Sequence, residues 1–169
     1  KLTAFDGAAN DYFGTAIAAG GGKIVVGAWL DDDNGNRSGS VYVFDANDLS
    51  VQSTKLTAFD GATDDSFGCS VAVTANKILV GAHGDDNSGS VYVYDANNLS
   101  AQPTKLTAFD GAAGDRFGWS ITVGGGKIIV YANADDDKGS SSVSVYVFDE
   151  TDLSATPTQL TAFDGPEAD

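Results

Sequence analysis

The hydrophobic residues of this chain fall in short runs in which consecutive side chains are apolar. The clearest run, Val41-Tyr42-Val43-Phe44, recurs as Val91-Tyr92-Val93-Tyr94 and as Val145-Tyr146-Val147-Phe148. Successive residues of a β-strand point to opposite faces of the sheet, so a strand of this kind is apolar on both faces. Such strands belong to sheets that are covered on both sides. The pattern therefore predicts sheets that stack on one another.

The pattern repeats with a period of about 50 residues. The unit Lys1-Leu2-Thr3-Ala4-Phe5-Asp6-Gly7 recurs from Lys55, from Lys105 and, with glutamine in the first place, from Gln159. Each period holds a strand after a Phe-Gly pair, a strand of the type Lys23–Ala28, the Val-Tyr-Val strand, and an alternating strand of the type Lys55–Phe59. Four antiparallel strands with apolar inner strands describe a β-propeller blade. We therefore predict an all-β fold of three consecutive four-stranded blades, a propeller that is partial or completed by assembly.

The predicted blades span residues 13–66, 67–116 and 117–169, and residues 1–12 are predicted to supply an outer strand that completes a preceding blade. A closed propeller has about 4–8 blades, so three blades leave sheet faces to be covered at both ends. Further blades of the same chain would cover them, and so would identical neighbouring chains packed head to tail in a ring or a fibre. The chain begins at Lys1 and has no methionine, as expected of a mature or excised segment.

The order of these motifs resembles that of a known family. Phe67-Gly68-Cys69-Ser70-Val71-Ala72-Val73 is followed by Lys77-Ile78-Leu79-Val80-Gly81-Ala82 and by Gly89-Ser90-Val91-Tyr92-Val93-Tyr94. This order resembles the FG-GAP repeat, the propeller blade of integrin α-subunits, over essentially the whole chain. The resemblance implies an extracellular or cell-surface propeller that serves adhesion. The third copy departs from it, because Tyr131 replaces the glycine of the second strand, and the close packing that glycine permits is expected to differ there.

The net charge of the chain restricts the kinds of partner that it is expected to bind. The formal net charge is −15, and 42% of the residues are hydrophobic, so the chain can build a core under a strongly acidic surface. Such a surface repels phosphate backbones, and nucleic acid is not an expected partner. No apolar run approaches the roughly 20 residues that span a membrane, so membrane insertion is not expected either. Cations or a basic protein patch suit this charge better.

Acidic residues cluster in the loop after the second strand of each copy: Asp31, Asp32, Asp33, Asp85, Asp86, Asp135, Asp136 and Asp137. Clustered carboxylates suit Ca²⁺, which makes these residues candidate metal ligands and calcium the one candidate cofactor. Alternatively, they cap a turn and keep a sheet edge soluble. The integrin resemblance implies calcium loops between the first and second strands. There this chain has glycine-rich or Ala-Asn turns, so the metal site of that family does not carry over.

Two further sets of aspartates recur in register. Asp11, Asp65 and Asp115 precede each Phe-Gly pair by two residues, and Asp6, Asp60, Asp110 and Asp164 precede each turn glycine. This regularity indicates a structural role, namely hydrogen bonds to the backbone of the turn. Asn36 and Asn98 begin Asn-x-Ser triplets in predicted loops and are candidate glycosylation sites if the protein is secreted.

No constellation of reactive residues suggests catalysis. His83 is the only histidine, and its place is taken by Trp29 and Asn133 in the other copies, whereas a catalytic histidine needs a nucleophile and an orienting group around it. Cys69 stands alone and is expected to be a buried structural thiol. We predict a non-catalytic extracellular structural or adhesion module that presents loops for protein or glycan binding. The alternatives are a repeating subunit of an extracellular filament or surface array completed by neighbouring chains, and a glycan-active enzyme whose repeated carboxylates form a catalytic pair.

Overall fold

The computed structural model describes residues 1–135 and 143–161, and this part is folded as three sheets of four antiparallel strands. Each sheet is one blade, and its strands lie side by side in chain order. Blade 1 contains β1 (Ile17–Gly20), β2 (Lys23–Ala28), β3 (Ser40–Asp45) and β4 (Thr54–Leu56). Blade 2 contains β5 (Phe67–Val73), β6 (Lys77–Ala82), β7 (Ser90–Asp95) and β8 (Thr104–Leu106). Blade 3 contains β9 (Phe117–Gly124), β10 (Lys127–Ala132), β11 (Ser144–Asp149) and β12 (Thr158–Thr161).

The predicted fold of three four-stranded all-β blades is confirmed, and each sheet lies inside one of the three predicted segments. The turns between the first two strands of blades 1 and 3 use glycines with positive φ, as a tight hairpin requires: Gly21, Gly22, Gly125 and Gly126. Within the described ranges, the structure has no helix with the length and hydrophobicity of a membrane-spanning segment.

The strand register gives every blade two different faces. Val26 lies opposite Tyr42 in blade 1, and Val80 lies opposite Tyr92 in blade 2. The face that carries these tyrosines is called the aromatic face. The opposite face is called the aliphatic face, and in blade 1 it carries Val25, Val41, Val43 and Leu56.

The blades stack with the aliphatic face of one against the aromatic face of the next. One core cluster joins Val41 and Val43 of blade 1 to Tyr92 and Tyr94 of blade 2. A second cluster joins the aliphatic face of blade 2 to the aromatic face of blade 3 in the same way. The Val-Tyr-Val strands of blades 1 and 2 are therefore buried on both faces, as their apolar pattern predicts.

The aromatic face of blade 1 is covered by the N-terminal segment of the same chain. Leu2, Ala4 and Phe13 pack against Tyr42 and Phe44, which are both buried. Residues 1–16 contain no strand, so the outer strand expected at residues 1–12 does not pair with any sheet here. Its role in completing a preceding blade stays a prediction.

The fourth strands of blades 1 and 2 are shorter than predicted. The equivalent of the N-terminal segment in blade 1, Lys55–Phe59, pairs with the sheet only as far as Leu56. The chain then leaves the sheet, and Ala58 is buried against blade 2. The alternation read as an edge strand thus marks a segment that crosses from one blade to the next.

Among the described residues, no other blade covers the aliphatic face of blade 3. Ile129, Tyr131, Val145 and Val147 are only half-buried, and Leu160 is 53% exposed. The matching face of blade 1 is buried under blade 2. The stack therefore has one end sealed by its own chain and one end that exposes apolar side chains.

Candidate ligand-binding surface

Both tryptophans, the only histidine and the only cysteine of this protein meet on one surface. The chain has two tryptophans, one histidine and one cysteine. Together with Thr15, all four line a single cavity of about 230 Å³: Trp29, His83, Trp119 and Cys69. Trp29 and His83 directly follow β2 and β6, whereas Cys69 and Trp119 lie near the starts of β5 and β9. The cavity therefore draws on all three blades.

The rings of this surface form a continuous series, which we call the aromatic row. The centroid of Trp29 lies 6.0 Å from that of Tyr12 and 6.4 Å from that of His83, and His83 lies 4.7 Å from Trp119. The guanidinium of Arg116 lies 5.5 Å from the Trp119 centroid, which places a cation over an aromatic ring at the end of the row. Tyr12 is 53% exposed and Trp119 is 40% exposed, so the row is open to solvent.

The repeat explains why these residues are neighbours. They come from three positions of the repeat: the residue before Phe-Gly, the residue after it, and the residue after the second strand. The residues before Phe-Gly share one backbone conformation, with φ of 58°, 59° and 57° at Tyr12, Ser66 and Arg116. Similar backbones thus carry unlike side chains, and stacking of the blades turns repeat positions into a surface without repeat symmetry.

Apart from Arg116 at its end, the aromatic row holds little charge at neutral pH. Burial, followed by the nearby charge of Arg116, lowers the pKa of His83 below its usual value, so the imidazole is neutral. Burial raises the pKa of the Cys69 thiol to about 11. A raised pKa is the reverse of what a nucleophilic cysteine needs. The electrostatics therefore suit binding better than covalent catalysis.

The structure brings the acidic loops together with lysines. The Nζ atom of Lys55, on β4, lies 2.9 Å from Asp6 and from Asp31 and 2.6 Å from Asp33. Asp31 is buried, and the Asp32 carboxylate accepts a hydrogen bond from the backbone N–H of Arg37 at 2.7 Å. The loop of blade 1 is thus organised by charge pairing and turn capping.

Blade 2 repeats this arrangement. The Nζ atom of Lys105 lies 2.8 Å from Asp60, 2.7 Å from Asp85 and 3.0 Å from Asp86. In blade 3, Gln159 takes the register position of these lysines opposite Tyr146, whose hydroxyl oxygen lies 2.7 Å from Asp135.

Asp136 and Asp137 lie outside the described residues. Among residues 1–135 and 143–161, no group of three or more His, Cys, Asp or Glu side chains is arranged to hold a metal ion. The contacts of the described aspartates favour the turn-capping explanation, and Ca²⁺ at these loops stays a prediction.

The two other sets of aspartates behave differently from each other. Asp11, Asp65 and Asp115 accept hydrogen bonds from the backbone N–H three residues earlier, at 2.5 to 2.6 Å, which confirms their predicted role in the turn. For the set before the turn glycines, the predicted backbone partner is wrong. The carboxylates of this set accept hydrogen bonds at 2.6 to 2.7 Å from the tyrosine hydroxyls of the next blade, in the pairs Asp6–Tyr42, Asp60–Tyr92 and Asp110–Tyr146. Asp164 lies outside the described residues.

Both candidate glycosylation sites are on the surface. Asn36 and Asn98 are exposed, as attachment of a glycan requires. The Asn98 side chain accepts a hydrogen bond from the hydroxyl of Ser100 at 2.7 Å. Glycosylation of these residues stays a prediction.

Sequence reasoning found only part of the aromatic row. Trp29, His83 and Asn133 stand out as a position that diverges between copies, but nothing in one period links them to Tyr12, Arg116 or Trp119. The link lies in the contact between blades. A usable signal was nevertheless present, because the tryptophans, the histidine and the cysteine all occupy divergent positions in an otherwise regular repeat.

Comparison with protein families identifies the repeat. A model of the FG-GAP repeat matches residues 1–44, 51–94 and 101–148. The chain belongs to the FG-GAP repeat family. The same comparisons find no match among curated proteins.

The Phe-Gly pair that gives FG-GAP repeats their name forms the contact between blades. The ring of Phe67 packs edge-on against Tyr92 of its own blade, with centroids 5.3 Å apart. Gly68 has φ +91°, and its carbonyl oxygen lies against Gly27 of the preceding blade, so a Cβ at Gly27 would overlap it. A Cβ at Gly39 would likewise overlap the backbone of Phe67.

Blade 3 lacks both of these contact glycines. Tyr131 stands where Gly27 and Gly81 stand in the other blades, and Val143, 38% exposed, stands at the position of Gly39 and Gly89. Another FG-GAP blade cannot pack on blade 3 as closely as the described blades pack on one another.

Proposed function

We propose that this FG-GAP chain is a non-catalytic recognition module, extracellular or at the cell surface, that binds a protein or glycan ligand through the aromatic row. The single observation that carries the proposal is the gathering of both tryptophans, the only histidine and the only cysteine around one cavity. Positions that serve packing alone recur between copies, whereas these diverge. Exposed clusters of aromatic side chains mark interaction sites, and Trp and Tyr supply much of the binding energy in interfaces.

Three further features support this function. The thiol of Cys69 has a raised pKa, which argues against a nucleophile at the row. The charge of −15 disfavours nucleic acid as the ligand. The exposed Asn-x-Ser triplets at Asn36 and Asn98 and the integrin-like repeat fit an extracellular location.

A second function is favoured by a separate observation. The open aliphatic face of blade 3, with Val145 and Val147 half-buried and Leu160 exposed, supports a subunit of a filament or surface array completed by a neighbouring chain. Tyr131 and Val143 replace the two contact glycines in blade 3. This argues against a neighbouring chain that packs on blade 3 as closely as blade 3 packs on blade 2. We therefore rank this function below recognition.

An array experiment tests the recognition function. The chain is applied to arrays of glycans and extracellular proteins as wild type, as Trp29→Ser/Trp119→Ser, and as the control Leu49→Ser/Val51→Ser, which changes two exposed apolar residues outside the row. We expect the wild type and the control to give the same signals and the tryptophan variant to lose them, while circular dichroism shows that all three are folded. Signals that the tryptophan variant retains would refute binding at the row. Release of a cleaved product from a bound glycan would refute the non-catalytic assignment.

A further inference from the structure

We infer that the ligand of the aromatic row is an uncharged sugar ring of a glycan, seated in the cavity between Trp29, His83 and Trp119. This inference rests on the proposed recognition function and names the chemical class of its ligand. It starts from the rings themselves. The face of an aromatic ring carries partial negative charge and attracts weakly positive C–H groups. A sugar ring presents such C–H groups on its faces.

The polar groups of the cavity suit the rest of such a ring. The Thr15 hydroxyl and the imidazole of His83 both line the cavity. The Thr15 hydroxyl donates to the backbone carbonyl of Tyr12 at 3.1 Å, so its oxygen is left to accept a further hydrogen bond. A neutral imidazole has one N–H donor and one acceptor nitrogen. Because burial and Arg116 keep His83 neutral, both functions are present at pH 7. Sugar hydroxyls, which also donate and accept, match this set better than a purely apolar ligand does.

The charges of the protein and the size of the cavity restrict the chemical class of the ligand further. A cationic ligand would be repelled by Arg116, which lies against Trp119. An anionic ligand would be repelled by the net charge of −15 that the chain carries. The cavity of about 230 Å³ is smaller than the 300–1,000 Å³ typical of sites for drug-sized molecules, so it suits one ring of a longer chain. Tyr12, 6.0 Å from Trp29, extends the aromatic surface beyond the cavity, where a neighbouring unit of a glycan would lie.

Intrinsic fluorescence tests the inference directly. The only two tryptophans of the chain both belong to the row, so the whole tryptophan signal comes from the site. The probes are neutral hexasaccharides of β-1,4-glucan, β-1,3-glucan and α-mannan, an acidic oligogalacturonate of the same length, and decaproline, since proline-rich segments also bind aromatic grooves. We expect a saturable change with at least one neutral hexasaccharide and none with oligogalacturonate. The same sugar should shift the His83 ring resonances.

Variants locate the binding. Calorimetry measures the affinity of each variant for that hexasaccharide. Trp119→Ala should weaken the affinity at least tenfold, and Trp119→Phe should weaken it less. The control Val51→Ala should bind as tightly as the wild type. The inference is overturned if no neutral hexasaccharide gives a saturable signal, or if Trp119→Ala binds as tightly as the wild type. A row that binds decaproline or an array protein but no sugar would overturn the ligand class and leave the recognition function intact. A row that binds nothing on the arrays and nothing in solution would overturn both.

Discussion

At the scale of single residues, Lys55 and Lys105 each hold three carboxylates at the edge of a blade. Both lysine side chains are largely buried, as are Asp31 and Asp85. Burial disfavours a charged lysine, but the hydrogen bonds that each ammonium donates to the aspartates outweigh it and raise the pKa of both lysines above the usual value. A buried charge that loses its partner is costly, so these lysines stabilise the acidic loops of blades 1 and 2.

Lys105→Met is expected to destabilise the protein by about 2 kcal/mol, between the values for exposed and buried pairs. For a chain of this size, the melting temperature should fall by about 4–8 °C. The matched control is Lys127→Met, which removes an exposed pair with Asp149 in which both side chains are more than 40% exposed. Thermal unfolding followed by circular dichroism measures both. An equal effect of the two substitutions would contradict a special role for Lys105.

The Lys105 pairing also predicts a pH dependence. Burial tends to raise the pKa of Asp60, but hydrogen bonds from Lys105 and then Tyr92 outweigh it, so the folded pKa lies below the usual value. A depressed carboxylate pKa stabilises the fold above the unfolded pKa of about 3.9, and the effect is lost as pH falls through the folded pKa. The difference in melting temperature between wild type and Lys105→Met should therefore be largest near pH 7 and shrink below pH 4. A difference that stays constant to pH 2 would show that the methionine acts through packing alone.

These residue contacts are where the sequence was least informative. The regular spacing of Asp6 and Asp60 indicates a structural role, but their partners, Tyr42 and Tyr92, lie more than 30 positions away in the next blade. Local turn chemistry predicts a local bond, which is right for Asp65 and wrong for Asp60. Only the packing of one blade on the next determines which aspartate bonds to its own turn and which bonds to a tyrosine of the next blade.

At the scale of elements, the glycines of the second strands determine how closely the blades approach. A Cβ at Gly81 would overlap the Gly118 carbonyl oxygen and the Ser70 hydroxyl, which are themselves hydrogen-bonded at 2.7 Å. The backbone of Gly81 does not require positive φ, so substitution there tests the steric contact without backbone strain.

Gly81→Ala is expected to cost about 1–3 kcal/mol, the range for overpacking a tight contact. Gly124→Ala is the matched control, because it makes the same change at another strand glycine without positive φ, where an added Cβ would meet nothing within 4 Å. Its cost should be clearly smaller. Urea unfolding gives both free energies, and a Gly81→Ala protein as stable as the wild type would mean that the blades can separate at little cost.

The elements differ in how well the sequence predicts them. The second strands begin and end where predicted, at Lys23–Ala28, Lys77–Ala82 and Lys127–Ala132, because an apolar run bounded by turns defines them. The fourth strands of blades 1 and 2 do not, because Leu56 and Ala58 alternate for packing across blades and not within one sheet. The repeat period and the type of each strand follow from the local sequence. The end of a strand depends instead on the tertiary contacts of the residues that follow it.

At the scale of the whole molecule, the stack has unequal ends. Residues 1–13 cover the aromatic face of blade 1, and the aliphatic face of blade 3 remains half-buried. The apolar pattern predicts that interior strands are sandwiched but does not indicate that one end is closed by its own chain. Blade 2 alone has both faces buried against other blades.

This asymmetry predicts the order in which the blades exchange their amide hydrogens. In stacked repeats each unit is stabilised by its neighbours, so the unit with two neighbours opens least often. We expect the slowest exchange in β6 and β7 of blade 2, and faster exchange in β11 and β12 of blade 3. Hydrogen–deuterium exchange with mass spectrometry measures this at peptide resolution.

In dilute solution, equal protection of β7 and β11 would contradict an open face on blade 3. Protection of β11 that appears only at high protein concentration would mean that a second copy covers this face, and Val145→Lys should then abolish the added protection because a charge on the face would oppose its burial.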